Sequence, residues 1–136
     1  ITKATVTSFL KEYWEDYRYG TDEDFIKSPE TGVAKEELLK VAKAIYTQPK
    51  DLKFIRKVEK EFAKREAMIT DSNKLDWGMA ELLAYGTLIN EGNTIRFTGQ
   101  DVQRGTFSHR HAVLKTENDE TKYIPLNNII ALKRAI

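Results

Sequence analysis

One segment of this sequence can be accommodated only as a largely buried helix. Residues 76–92 read DWGMAELLAYGTLINEG, and apolar side chains occupy nearly every side of the helix that this segment would form. Asp76 is a favourable N-cap, Glu81 lies early enough to favour the positive end of the helix dipole, and Gly92 is a favourable stop. We therefore predict a helix whose apolar residues, Trp77 included, lie in the core and pack against a sheet.

The sheet is predicted from the segments that follow this helix. Residues 94–99, TIRFTG, form a short β-type run closed by Gly99, and residues 111–125 are typical of two strands joined by the polar turn from Glu117 to Glu120. A helix, a tight turn and a strand in this order are typical of doubly wound folds. The predicted fold class is therefore α/β, with an incomplete parallel sheet.

Amphipathic helices are predicted in the first half of the chain. Residues 3–18, 35–46 and 52–68 carry apolar residues at three- and four-residue spacing, whereas residues 20–34 are typical of a loop. Asp51 is the expected N-cap of the third helix. The charged side of that helix, which includes Arg65, is expected to face solvent. The apolar positions of the second and third helices are Leu38, Leu39, Ala42, Ile45, Phe54, Ile55, Val58 and Phe62.

Composition argues against several classes of protein. The 136 residues include 22 Lys plus Arg against 21 Asp plus Glu, so no overall charge favours nucleic acid or a membrane surface. No apolar run approaches the roughly 20 residues of a membrane-spanning helix. Cysteine is absent, which excludes disulfides and thiolate metal sites and favours a reducing compartment. We expect a cytoplasmic protein that binds neither nucleic acid nor a membrane.

Residues 96–111, RFTGQDVQRGTFSHRH, form an unusually dense polar segment that contains both histidines of the chain. In open α/β sheets the binding crevice lies beyond the carboxyl ends of the strands. Gln100 and Asp101 directly follow Gly99 at the end of the predicted strand, and they are therefore predicted site residues. The alternative for Asp101 is that it caps a turn through its own backbone.

The charged residues of this segment leave further alternatives open. His109 and His111 would share one face of a strand, but a zinc site needs three or four protein ligands and the chain has no further His and no Cys. We therefore predict no metal site. We expect each histidine either to be hydrogen-bonded in a polar interface or to contact an anionic ligand. Arg104, Gly105 and Arg110 would form an anion site, although the spacing of a phosphate-binding loop is missing. On that alternative the chain is a small interaction module with an anionic partner.

Two runs of sequence carry a close resemblance to a known family. DWGMAELLAYGTLINEG, followed by IRFTGQDVQRGTFSHRHAVL, closely resembles the thiamin diphosphate-dependent first component of the 2-oxoglutarate dehydrogenase complex over residues 76–114. Residues 22–69 resemble the helical connector that precedes this region in the bacterial branch of the family. The resemblance implies a helical connector region at residues 1–70 and the N-terminal part of a pyrimidine-binding domain at residues 71–136.

The resemblance also implies an activity and roles for individual residues. The family decarboxylates 2-oxoglutarate oxidatively and transfers the succinyl group to a lipoyl-bearing succinyltransferase, using thiamin diphosphate and Mg²⁺ in a homodimer. By resemblance, Gln100 is an amide donor near the substrate or the enamine intermediate, and His111 is the second candidate catalytic residue. Asp101, Arg104 and His109 are implied to hold the loop and to line the subunit interface.

The sequence departs from the family pattern because two motifs of the family are missing from it. The family binds its diphosphate through Mg²⁺ on a GDG-type motif ending in Asn, and its essential Glu lies in a Leu-Ser-Glu motif; neither motif occurs here. The chain begins at Ile1 without an export signal, and its last residues, NNIIALKRAI, fit the family poorly. We therefore expect an excised piece of a longer enzyme that is inactive alone and binds neither thiamin diphosphate nor Mg²⁺.

Overall fold

A computed structural model describes residues 14–72 and 74–129. The chain divides into two units, residues 1–32 and residues 33–136, which are described separately. In the first unit, the predicted helix at residues 3–18 lies mostly outside the described residues. The predicted loop at residues 20–34 contains one turn of 3₁₀ helix, Asp22–Phe25, whose Asp24 carboxylate accepts two hydrogen bonds from Arg18, at 2.6 and 2.7 Å.

The first α-helix of the second unit, α1, spans Lys35–Tyr46, as predicted from its apolar spacing. Val41, Ala42 and Ile45 are buried on one face of α1 and belong to the larger of two hydrophobic clusters. Leu39, which was predicted on the same face, is instead exposed. The apolar stripe of α1 is therefore narrower than its composition suggests.

The second helix, α2, spans Arg56–Ala67, so the prediction that it begins near residue 52 with Asp51 as its cap is wrong. Phe54 instead makes an isolated antiparallel β-bridge with Thr116, and an extended residue cannot also be helical. The ring of Phe54 is buried against the rings of Phe62 and Tyr123, with centroids 5.6 and 5.7 Å apart. This tertiary packing overrides the local helical pattern. A short π-helical turn, Met68–Ser72, follows α2.

The third helix, α3, spans Trp77–Glu91 and has the predicted ends. The backbone N–H of Met79 donates to Oδ1 of the Asp76 cap at 2.8 Å, and Gly92 adopts a left-handed conformation with φ of 104°. The partner of α3 is helix α1 rather than a sheet, which corrects the prediction. The two helices approach closely at Gly86, because a Cβ atom there would overlap the side chain of Val41.

Trp77 corrects the prediction that the whole of α3 is buried, because this residue is 91% exposed. Helical geometry accounts for the exposure. Trp77 precedes Gly86 by nine residues, or about 2.5 turns, so the two lie on opposite sides of α3. Leu88 lies on the same outer side and is also exposed. The core face of α3 consists of Met79, Leu82, Leu83 and Gly86.

The sheet is smaller than predicted and antiparallel. Two short strands, β1 (Leu114–Lys115) and β2 (Lys122–Tyr123), pair in the hairpin that was predicted at residues 111–125. The prediction of a strand at residues 94–99 is wrong, since this segment has no regular secondary structure. Within residues 14–72 and 74–129 there is no parallel sheet, so the structure is a mixed α/β arrangement without the doubly wound core. None of the helices in the described part of the chain is long and apolar enough to cross a membrane.

Candidate functional site

Residues 99–111, which we call the histidine loop, are held in a series of turns by their own backbone. The carbonyl oxygen of Asp101 accepts from the N–H of Gly105 at 2.9 Å. The carbonyl oxygen of Arg104 accepts from two successive N–H groups, those of Arg110 at 2.9 Å and His111 at 3.1 Å. The C-terminal end of the loop is therefore held against its middle, at Arg104.

The backbone of the histidine loop adopts left-handed conformations at residues other than glycine. The φ angles of Asp101, Ser108 and His111 are 56°, 57° and 44°. Such a conformation costs an L-residue roughly 1–2 kcal/mol, so it persists only where the surrounding contacts impose it. The loop therefore has one defined shape, which a site built on a loop needs if its side chains are to be positioned accurately.

An ion pair fixes the histidine loop to α3. Nε and Nη2 of Arg110 donate to the two carboxylate oxygens of Glu81, each at 2.9 Å. The side chains are only 18% and 25% exposed, so solvent screens the pair weakly. The hydrogen bonds from Arg110 lower the pKa of Glu81, and they raise the pKa of Arg110 in turn. Glu81 is the fifth residue of α3, so its partner is Arg110 and not the helix dipole as predicted.

Two aromatic residues complete this attachment. The Arg110 guanidinium lies over the ring of Phe97, with its carbon 5.3 Å from the ring centroid. The ring of Phe97 packs edge-on against Tyr85 on α3 with a centroid distance of 4.7 Å, and the Tyr85 hydroxyl donates to Glu81 at 3.3 Å. The sequence interpretation missed Glu81, Phe97 and Tyr85 as parts of the site. The available signal was Glu81 itself, the one charged residue of α3 before its last residue, Glu91.

His111 is the buried titratable group of the histidine loop, and its residue is 7% exposed. Burial lowers the pKa of His111, and the cations Arg65, Lys57 and Arg104 lower it further, against the opposing effect of Glu61. The imidazole is therefore neutral at pH 7, and one of its nitrogens can accept a hydrogen bond.

The remaining predicted site residues lie at the surface of the histidine loop. Gln100, Asp101, Arg104 and His109 are all exposed. Asp101 closes its turn through its carbonyl oxygen, and among the hydrogen bonds of the described residues its side chain makes none. Gln100 likewise has no side-chain hydrogen bond within residues 14–72 and 74–129, so its amide is available to another group. The strand that was predicted to end beside Gln100 is absent, and the argument from strand ends therefore does not support this residue.

The alternative anion site was predicted from Arg104, Gly105 and Arg110, and one of these residues is engaged within the chain. The Arg110 guanidinium is engaged by Glu81 and Phe97, so this cation is not available to an anionic partner. No group of three or more His, Cys, Asp or Glu side chains that could hold a metal ion occurs in the part of the chain that the structure describes.

Gly105 provides a direct test of the shape of the histidine loop. Its φ of 84° is unfavourable for an L-residue, and a Cβ atom would overlap the imidazole of His109. We expect Gly105→Ala to lower the free energy of unfolding by roughly 1 kcal/mol or more. Urea denaturation would measure this loss. Gly20→Ala is the control, because a Cβ there meets nothing closer than 3.8 Å. Equal stability of the two variants would contradict the described loop conformation.

Comparison with known proteins identifies the class to which these features belong. No family model matches the chain. Curated proteins named 2-oxoglutarate dehydrogenase E1 component match most of it. The protein from Rickettsia felis is 48% identical over 99 residues, which are 73% of this chain and 10% of that protein. The protein from Haemophilus influenzae is 43% identical over 108 residues, 79% of this chain and 12% of that protein.

A third relative, from Brucella anthropi, is 37% identical over 127 residues, which are 93% of this chain and 13% of that protein. The matched proteins are thus enzyme components of one kind. The chain is a homologue of one segment of the 2-oxoglutarate dehydrogenase E1 component, which confirms the resemblance found in its sequence. It spans 10–13% of the length of these three relatives.

Proposed function

We propose that this chain is part of a 2-oxoglutarate dehydrogenase E1 component, located in the cytoplasm, and that the histidine loop contributes to its active site. The observation that carries the proposal is the 37–48% identity to three E1 components over 73–93% of the chain. The reaction of the complete protein would be the oxidative decarboxylation of 2-oxoglutarate with succinyl transfer to a lipoyl-bearing succinyltransferase. Residues 1–70 would form its helical connector, and residues 71–136 the first part of its pyrimidine-binding domain.

The residues of this chain do not fit the diphosphate end of the proposed cofactor. Thiamin diphosphate needs a divalent cation at its diphosphate, and the described residues contain no cluster of acids or histidines that would bind one. The metal and the diphosphate would therefore be bound by other parts of the complete protein. When bound, the cofactor supplies the carbanion chemistry of decarboxylation, whereas the protein supplies binding and electrostatics.

The histidine loop would act on the substrate through two side chains. The exposed amide of Gln100 is free to donate a hydrogen bond to an oxygen on which negative charge develops. The second would be the imidazole of His111, which is 7% exposed and whose lowered pKa favours the neutral form that accepts a hydrogen bond. Asp101, Arg104 and His109 would support the loop and contact a second subunit. The exposed aromatic rings of Phe107, in the loop, and Trp77, on α3, favour such coverage by protein.

The proposal predicts where thiamin diphosphate binds. The complete protein should bind thiamin diphosphate in the presence of Mg²⁺ with a micromolar or lower dissociation constant, while the 136-residue chain should show no measurable binding. The physical reason is that residues 14–72 and 74–129 contain no cluster of acids or histidines that would hold the cation. Isothermal titration calorimetry on both proteins measures the difference. Micromolar binding by the 136-residue chain would contradict this division of labour, and no binding by the complete protein would contradict the proposed function.

A further inference from the structure

Arg65 makes a long-range contact with the histidine loop. It lies in the last turn of α2, and only 2% of the residue is exposed. Its Nη2 atom donates to the backbone carbonyl oxygen of Arg110 at 2.6 Å, across 45 residues of sequence. The sequence pattern had indicated a solvated side of α2 at this position, and that prediction is wrong. A guanidinium that leaves solvent to bind a backbone carbonyl requires an explanation.

The charge of Arg65 has no direct counter-ion. Within residues 14–72 and 74–129, no carboxylate lies close enough to form an ion pair with it. Burial lowers the pKa of Arg65, and the more distant carboxylates of Glu61 and Asp76 offset this only in part. Burying a cation without an adjacent anion costs hydration free energy. An apolar side chain of similar size could be buried at this position without that cost. The hydrogen bond to Arg110 is therefore the specific interaction that this guanidinium makes.

That hydrogen bond acts on the backbone that precedes His111. The carbonyl oxygen of Arg110 and the N–H of His111 belong to one planar peptide unit. Arg65 holds the oxygen, and the carbonyl of Arg104 holds the N–H at 3.1 Å. A peptide plane fixed on both edges has little freedom to rotate, and its orientation sets the φ of 44° at His111. The side chain of Arg110 is held separately by Glu81.

We propose that Arg65 is a positioning residue, which holds the Arg110–His111 peptide and thereby aims the His111 side chain from the neighbouring helix α2. The inference rests on the proposed function, in which the histidine loop belongs to the active site. The geometry of the site would then depend on Arg65, a residue that lies outside the loop and in the proposed connector region. Loss of the guanidinium should leave the peptide plane held on its N–H edge alone, so that the plane can rotate and misplace the imidazole.

The test uses the complete E1 component with three substitutions. Arg65→Met removes the donor. Arg65→Lys keeps a positive charge and one donor nitrogen on a shorter side chain. Arg56→Met removes an exposed cation from the same helix and is the matched control. For each protein, kcat and KM for 2-oxoglutarate are measured together with the melting temperature. Activity is expressed per folded molecule, so that a loss of stability is not counted as a loss of catalysis.

Activity and stability should rank the variants differently. We expect Arg65→Met to lower kcat about 10-fold or more with KM within about threefold, because small misplacements of a catalytic group are costly. The kcat of the Arg65→Lys variant should lie between those of the Arg65→Met variant and the wild type. The Met variant should nevertheless melt no lower than the Lys variant, because it buries no charge. Arg56→Met should match the wild type in all three quantities.

Two further results separate the possible failures. Wild-type kcat per folded molecule in both Arg65 variants would overturn the positioning role, while leaving the proposed function standing. Absence of 2-oxoglutarate turnover in the wild-type protein would overturn the proposed function and this inference with it. Should Arg65→Met not fold, Arg65→Lys decides: reduced kcat with unchanged KM supports the proposal, and wild-type kcat overturns it.

Discussion

Replacing Gln100 by Ala in the complete E1 component should lower the turnover of 2-oxoglutarate roughly 100-fold or more, the usual cost of losing a donor that stabilises developing charge. The free energy of unfolding should stay within about 0.5 kcal/mol of wild type, because an exposed side chain without intramolecular partners contributes little to folding. Steady-state turnover with an artificial electron acceptor, together with a melting curve, measures both quantities on the same preparation.

Gln103→Ala is the matched control for this substitution. Gln103 has the same amide, lies in the same loop and is also exposed. We expect this variant to keep both its stability and its turnover. If Gln100→Ala instead melts early and turns over normally per folded molecule, the role of Gln100 is structural and its assignment to the site is wrong.

Replacing Leu83 by Ala should produce the opposite pattern, a large loss of stability without a catalytic defect. Leu83 is 3% exposed and lies in the larger hydrophobic cluster with residues of α1. Truncation leaves a cavity between the helices and should lower the free energy of unfolding by about 2–5 kcal/mol. Urea denaturation of the chain measures this change, and turnover of the complete protein should be normal per folded molecule.

Leu88→Ala provides the control on the same helix. Leu88 is 41% exposed and lies on the side of α3 away from Gly86, so its truncation should cost less than about 1 kcal/mol. Similar losses at Leu83 and Leu88 would contradict the packing of α3 against α1 through one face.

The ends of α3 could be predicted from sequence because they carry local signals. Asp76 accepts the capping hydrogen bond and Gly92 supplies the left-handed stop, so both ends of α3 follow from neighbouring residues alone. The start of α2 could not be predicted in this way. Phe54 bridges to Thr116, a residue 62 positions further along the chain (116 − 54), and local periodicity carries no information about such a contact.

The segment at residues 94–99 has a β-type sequence, but it does not form the strand that this sequence predicted. Ile95 and Phe97 are two residues apart and line the same apolar hollow, together with Ile124 and Leu126. These two side chains therefore share one face, as alternate residues of an extended segment do. A strand also needs a hydrogen-bonded neighbour, and no such neighbour pairs with this segment among the described residues. Side-chain alternation alone could not supply it.

The composition of the sequence nominated the candidate site, which stays a prediction, but it did not indicate which distant residues hold the loop in place. The density of His, Arg, Gly and Gln in residues 96–111 singled out the segment that contains the histidine loop. Its attachments come from distant residues: Glu81 precedes Arg110 by 29 positions, and Arg65 precedes it by 45. Contacts between residues this far apart produce no periodic pattern in the sequence, so they could not be predicted from it. Exposed Trp77 was misassigned for a related reason, since apolar composition does not reveal which side of a helix meets its partner.

We have proposed that this chain belongs to an enzyme that decarboxylates 2-oxoglutarate. This proposal is tested most directly by measuring CO₂ release from 2-oxoglutarate labelled at its C1 carboxyl group, using the complete protein with thiamin diphosphate and Mg²⁺. We expect labelled CO₂ at a steady rate that depends on both thiamin diphosphate and Mg²⁺ and falls roughly 100-fold in Gln100→Ala. Absence of labelled CO₂ from a folded, cofactor-loaded wild-type protein would contradict the proposal.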